Sequence, residues 1–165
     1  MNVIKTLVSA IERVREPRFF STERGYQGQL LSELDRLLDA EPDDLTRPIV
    51  EQEYQKRAKL HGITLRPDII VHIPFERGVS PSRRYDNYLV VLLDLSANQK
   101  EAEEDFGQLS TICSKLDYPI GAFVNIASTN LWLPDYGGKT DDSFILHEFA
   151  VTLHDGCPQI RTAKA

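Results

Sequence analysis

A chain of 165 residues lies within the ~100–200 that one domain usually occupies. With 41% hydrophobic and 27% charged residues it is not a disordered chain, and no apolar run reaches the ~20 residues of a membrane-spanning helix. A net charge of −6, from 25 acidic against 19 basic residues, argues against tight non-specific coating of nucleic acid but leaves room for a local basic groove.

Ile4, Leu7, Val8, Ile11 and Val14 recur at helical spacing and predict a first helix, which Glu16-Pro17 ends because a residue before proline is pushed out of the α region. A second helix is expected from about Arg24-Gly25, carried by Tyr26, Leu30, Leu34, Leu37 and Leu38 and closed by Glu41-Pro42-Asp43-Asp44. Ile49 to Tyr54 follows a proline, is partly β-branched and reads as a strand. Leu65 to Ile73, with Ile69-Ile70-Val71 behind Arg66-Pro67-Asp68, is a second strand, stopped by Pro74. Residues 74–86 have the prolines, glycine and serines of a long hairpin loop. Tyr88-Leu89-Val90-Val91-Leu92-Leu93 is the most apolar stretch and predicts a central strand buried on both faces.

Asn98 is placed to cap a helix with Glu101 completing a capping box, and Ala102, Phe106, Leu109, Cys113 and Leu116 mark its inner face. Asp117-Tyr118-Pro119 ends it, and Ile120 to Ile126 is a further strand. Phe144 to Leu153 reads as a strand leading into an Asp155-Gly156 hairpin turn, with Pro158 weakening the return. The sum is an α/β domain (an α+β mixed sheet flanked by helices) over residues 1–165, with an N-terminal helix (1–16) and a terminal hairpin extension (143–165). Cys113 and Cys157 form no CxxC and are expected as thiols. The N-terminus lacks the features of a signal peptide, so the chain reads as cytoplasmic, with no membrane partner.

The run Arg66-Pro67-Asp68-Ile69-Ile70-Val71-His72, followed after a hairpin loop by Asn87-Tyr88-Leu89-Val90-Val91-Leu92-Leu93-Asp94, resembles the PD-(D/E)XK nuclease superfamily, the restriction-endonuclease-like fold. The resemblance extends from about Glu23 to Ile126. It takes in Arg24-Gly25-Tyr26 and Glu33 on the earlier helix, Glu51 and Glu53 on the first strand, the helix around Glu104-Asp105-Phe106-Gly107-Gln108-Leu109, and Tyr118 to Phe123. It implies a restriction-endonuclease-like core of helix, three-stranded meander, helix and strand. In that family an Asp on one strand and an acid on the next hold Mg²⁺, a cation that binds hard oxygen ligands. A lysine two residues beyond the acid shares its strand face and steadies charge on the phosphate.

Here the acid's position falls on Leu92 and the lysine's on Asp94, so that Asp68 alone survives of the central trio. An alternative register makes Asp94 the acid and Ser96 the lysine's replacement, which still leaves no lysine in the strand. The resemblance thus implies a degenerate catalytic centre at Asp68 and Asp94. Glu53 and Glu33 are weaker metal-ligand candidates, and Arg77, Arg83 and Arg84 are candidate phosphate contacts. Glu51, His72 and Lys100 are further candidates whose plain readings are a solvated carboxylate, a hydrogen-bonded sheet histidine and a solvated lysine. The expected function is a non-catalytic nucleic-acid- or protein-binding module without a cofactor, its DNA contact weak, with a homodimer compatible. The alternatives are an active Mg²⁺-dependent endonuclease with a rearranged site and a pure protein-interaction domain.

Overall fold

Both N-terminal stripes become helices, each bounded by local chemistry. The computed structural model describes residues 2–39, 47–52, 64–74, 86–138 and 142–165. Helix α1 (Val3–Ile11) starts where the Asn2 side chain accepts the Lys5 N–H at 3.2 Å, and it buries Val3, Leu7, Ala10 and Ile11. It stops short of Val14, the last residue of the predicted stripe. Val14 is nevertheless fully buried, because the chain tightens through Arg13 N–H to Ala10 O and Val14 N–H to Ile11 O before turning away. After a 3₁₀ turn (Pro17–Ser21), α2 (Glu23–Asp39) begins just before the predicted Arg24-Gly25. Thr22 Oγ1 accepts the Gly25 N–H at 3.1 Å. A Cβ at position 25 would lie 2.6 Å from that oxygen, so glycine lets the cap approach.

Six strands form one mixed sheet in chain order: β1 (Ile49–Gln52), β2 (Ile69–His72), β3 (Asn87–Leu95), β4 (Ile120–Ile126), β5 (Ile145–His154) and β6 (Cys157–Lys164). β1, β2 and β3 are an antiparallel meander. Helix α3 (Gln99–Leu116) crosses over from β3 to β4, which run parallel, and β5 adds parallel to β4. The predicted capping box is present: Asn98 accepts from Glu101 N–H at 3.2 Å and Glu101 accepts from Asn98 N–H at 2.9 Å. Asp117 closes α3 in the left-handed region, at φ +58°.

Alternation along the strands divides the interior. Ile69, Val71, Leu89, Val91, Leu93, Val124 and Val151 pack under α1 and α2. Ile70, Val90, Leu92, Phe123 and Leu146 pack under α3. The continuous apolar run of β3 therefore feeds two cores, as expected for a central strand covered on both sides. Gly121 sits where α3 and β5 close on β4. A Cβ there would be 2.9 Å from Leu146 Cδ2 and 3.0 Å from Cys113 Sγ.

The segment expected as a terminal hairpin contributes a sheet strand, β5, as well as the return. Asp155 and Gly156 both have positive φ, +48° and +72°, and close a two-residue turn between His154 and Cys157. Pro158 does not weaken β6. Leu146 and Ala165 exchange both backbone hydrogen bonds at 3.0 Å, and the β5–β6 register is unbroken. Bonded positions alternate along an antiparallel pair, so residues 157, 159, 161 and 163 face β5 and Pro158 faces outward, where no ladder bond is lost. Among the described residues no helix is long and apolar enough to cross a membrane.

Candidate functional site: carboxylates around the ends of β2 and β3

Asp68 immediately precedes β2 and is fixed by backbone on both sides of its chain. Its N–H donates to Val91 O at 3.2 Å, and its Oδ2 accepts the Leu93 N–H at 2.8 Å. From α2 the buried Gln27 donates through Nε2 to Asp68 O at 2.9 Å. Because Ile69 pairs with Val91 in an antiparallel register, Asp68 stands across from Leu92. Leu92 is almost fully buried among Val90, Ile70 and the apolar face of α3. It offers neither a lone pair nor a proton.

Asp94, two residues on, shares the face of Leu92. Its Oδ1 accepts the N–H of the next residue, Leu95, at 2.6 Å. Burial raises its pKa, with Glu101 adding to the rise and the Leu95 bond opposing it. Two residues absent from the expected site join it. Glu23, the first residue of α2, is raised by burial and by the charge of Asp94, against Arg24. Asp105, on α3, is pushed up to about 7 by burial first, then by Asp94, Asp68, Glu23 and Glu104.

Four elements thus direct carboxylates into one shared field: Glu23 from α2, Asp68 before β2, Asp94 from β3 and Asp105 from α3. The field has no compensating strand lysine, since Asp94 occupies that place. Among the described residues no three His, Cys, Asp or Glu side chains are arranged to hold a metal ion together. Leu92 supplies no oxygen and Asp94 no positive charge, so the residues present do not fit a PD-(D/E)XK magnesium centre.

The other candidates lie elsewhere. Glu33 turns toward α1 and the helix surface, bound to Arg36 at 2.5 Å and Gln29 at 3.3 Å, with Arg13 at 3.9 Å. Glu51 is 2.6 Å from His72 Nε2, a cross-strand pair between β1 and β2. Lys100 is exposed and 3.8 Å from Glu104. Ser96 lies past the end of β3 at φ +58°, its N–H bound to Ile126 O. Glu53, Arg77, Arg83 and Arg84 lie outside the described residues.

A second polar assembly supports the turn that follows Asp94. Asn125, fully buried on β4, accepts the Ala97 N–H at 2.9 Å and donates to Ala97 O at 3.2 Å. Trp132 Nε1 donates to the same carbonyl at 3.3 Å. Glu148, fully buried on β5, holds that tryptophan's segment: its oxygens accept the Trp132 N–H at 2.9 and 3.0 Å and the Leu133 N–H at 2.8 Å. Burial raises the Glu148 pKa and these backbone donors oppose the rise.

Asp105 and Glu148 carried a signal in the sequence. Asp105 follows Ala102 by three residues and precedes Leu109 by four, so it occupies the inner stripe of α3 as a charge among apolar residues. Glu148 shares strand parity with Leu146 and Ala150, both buried. Glu23 carried none, because its place in the site depends on how α2 docks. No protein-family model, curated protein or solved structure matches the chain.

Proposed function

We propose that the chain is a PD-(D/E)XK nuclease-like domain whose catalytic centre has decayed, retained as a binding or regulatory module. The observation that carries this reading is the pair on β3: Leu92 stands across from Asp68, and Asp94 shares its face two residues on. The element order supports the same reading. An antiparallel β1–β2–β3 meander preceded by α2 and followed by α3 and a parallel β4 is the arrangement expected of a restriction-endonuclease-like core.

The electrostatics favour a protein partner over nucleic acid at this site. A phosphate brought to Glu23, Asp68, Asp94 and Asp105 meets like charge in a partly desolvated setting, where Coulomb repulsion is stronger than in water. The chain's net charge of −6 works the same way at longer range.

Incubating the purified chain with plasmid, linear and single-stranded DNA in Mg²⁺ or Mn²⁺ tests the reading, and no cleavage is expected. Metal-dependent cleavage that disappears on Asp68→Ala would replace it with an active nuclease built on a rearranged carboxylate set. DNA binding is expected to be weak at physiological salt and to fall steeply as salt rises. Tight, salt-insensitive binding to a defined duplex would contradict the proposal that protein is the partner.

A further inference from the structure

Strand β6 closes the sheet order, and among the described residues no strand pairs beyond it. The alternation that orients residues 157, 159, 161 and 163 toward β5 leaves the backbone groups of Pro158, Ile160, Thr162 and Lys164 directed away from the sheet. The strand is eight residues long and its pairing with β5 has no register shift, so no bulge turns this edge away, and outward-facing Pro158 removes a donor at one end only. Its charge is also unlike that of the whole molecule. In a chain of net charge −6, Cys157 to Lys164 contains Arg161 and Lys164 and no acid, and both cations are exposed.

We infer that the outer edge of β6 receives an extended segment of a partner protein that carries carboxylates at alternate positions. A second copy of this chain is the poorer occupant. Antiparallel self-pairing through these outward groups can centre on Ile160 or on Arg161, and either register gathers Arg161 and Lys164 from both copies with no acid in the strand to offset them. The register centred on Arg161 also sets Arg161 directly opposite Arg161, a like-charge cross-strand pair. The same cations that discourage a β6–β6 dimer complement an acidic strand. Arg161 lies on the face of β6 where it donates to Thr129 O at 2.6 Å, and Lys164 lies on the opposite face, so a carboxylate on either side of the incoming strand has a counter-charge. Backbone pairing would supply affinity, and the cation on the side that carries the carboxylates would supply orientation, as in other cases of strand addition. The inference is independent of the nuclease-like reading, because it uses none of the carboxylates around Asp68.

Amide hydrogen exchange on the full chain tests it, with a short peptide alternating Glu and Val as probe and its Lys–Val counterpart as control. With the Glu–Val peptide, exchange at Ile160, Thr162 and Lys164 is expected to slow by about tenfold, while Arg161 and Ala163, already paired to β5, stay unchanged. The Lys–Val peptide is expected to leave all of them unchanged. Thr162→Pro removes one outward donor at a position equivalent to Pro158 and is expected to abolish the effect while Arg161 and Ala163 keep their protection. Arg161→Gln with Lys164→Gln together removes the counter-charge on both sides and is expected to weaken it. No slowing with the Glu–Val peptide, or equal slowing with both peptides, would overturn the inference.

Discussion

Asp105 and Glu148 are both carboxylates set against the α3 side of the sheet, and their surroundings differ in kind. Glu148 receives backbone donors from Trp132 and Leu133 and fixes the segment that reaches Ala97. Asp105 is surrounded by Asp94, Asp68, Glu23 and Glu104, which all oppose its ionisation. One carboxylate is held by dipoles arranged for it; the other shares its space with like charges. A buried charge met by donors is part of the framework, because its removal strands those donors. A group of half-buried charges that repel one another contributes no such stability, which is what makes it the candidate site.

The largest effect predicted from this contrast is at Glu148. Glu148→Ala leaves the Trp132 and Leu133 N–H groups without their acceptor and is expected to cost about 3 kcal/mol in urea unfolding. Trp132 is the single tryptophan of the chain, so its emission in the native baseline reports whether the segment also comes loose. An unfolding free energy unchanged by the substitution would remove Glu148 from the framework.

Asp105→Asn works in the opposite direction. With its folded pKa raised to about 7 from the ordinary value of 3.8, the protonated acid is the form the folded state prefers. Its contribution to stability is complete below about pH 4 and is lost as pH rises through about 7. Asparagine removes that dependence, so the variant is expected to be more stable than the parent at pH 8 by about 1–2 kcal/mol, allowing for solvent screening of a half-buried group. At pH 4 the two are expected to converge. A variant less stable than the parent at pH 8 would show that the Asp105 carboxylate is satisfied rather than crowded.

The smallest effect separates the members of the cluster. Asp94 raises the Asp105 pKa more than Glu23 does. In an NMR titration of the Asp105 carboxyl, Glu23→Gln is therefore expected to lower its midpoint less than Asp94→Asn does. The reverse order would mean that the Glu23 carboxylate lies nearer Asp105 than the Asp94 carboxylate does.

These two regions were unequally legible in the sequence. Asn98 and Glu101 announced the start of α3, and Asp155-Gly156 the hairpin turn, because caps and tight turns are local chemistry written in adjacent residues. The Pro158 expectation failed for want of one non-local fact. Proline is tolerated or excluded according to which side of the strand faces its neighbour, and only the β5–β6 register decides that. On the site side, Leu92 and Asp94 were singled out through the family resemblance, and the β2–β3 register sets Leu92 across from Asp68. Glu33 shared its helix with Glu23, but their separation of ten residues corresponds to about 15 Å along the axis, so only one end of α2 reaches the cluster. The Asn125–Ala97–Trp132–Glu148 assembly joins distant segments through backbone atoms, and no pattern of side-chain types encodes it.

Two positions of β3 carry the proposed decay of the catalytic centre, and changing both tests that proposal most directly. Leu92→Glu with Asp94→Lys together place an oxygen donor across from Asp68 and a cation among Glu23, Asp68 and Asp105. Calorimetric titration with Mn²⁺ is expected to show binding at least about tenfold tighter for the folded double variant than for the parent, a difference of about 1.4 kcal/mol. A double variant that folds, judged by unchanged emission from Trp132, yet binds Mn²⁺ no better than the parent would contradict the proposed decay of a metal centre at Asp68.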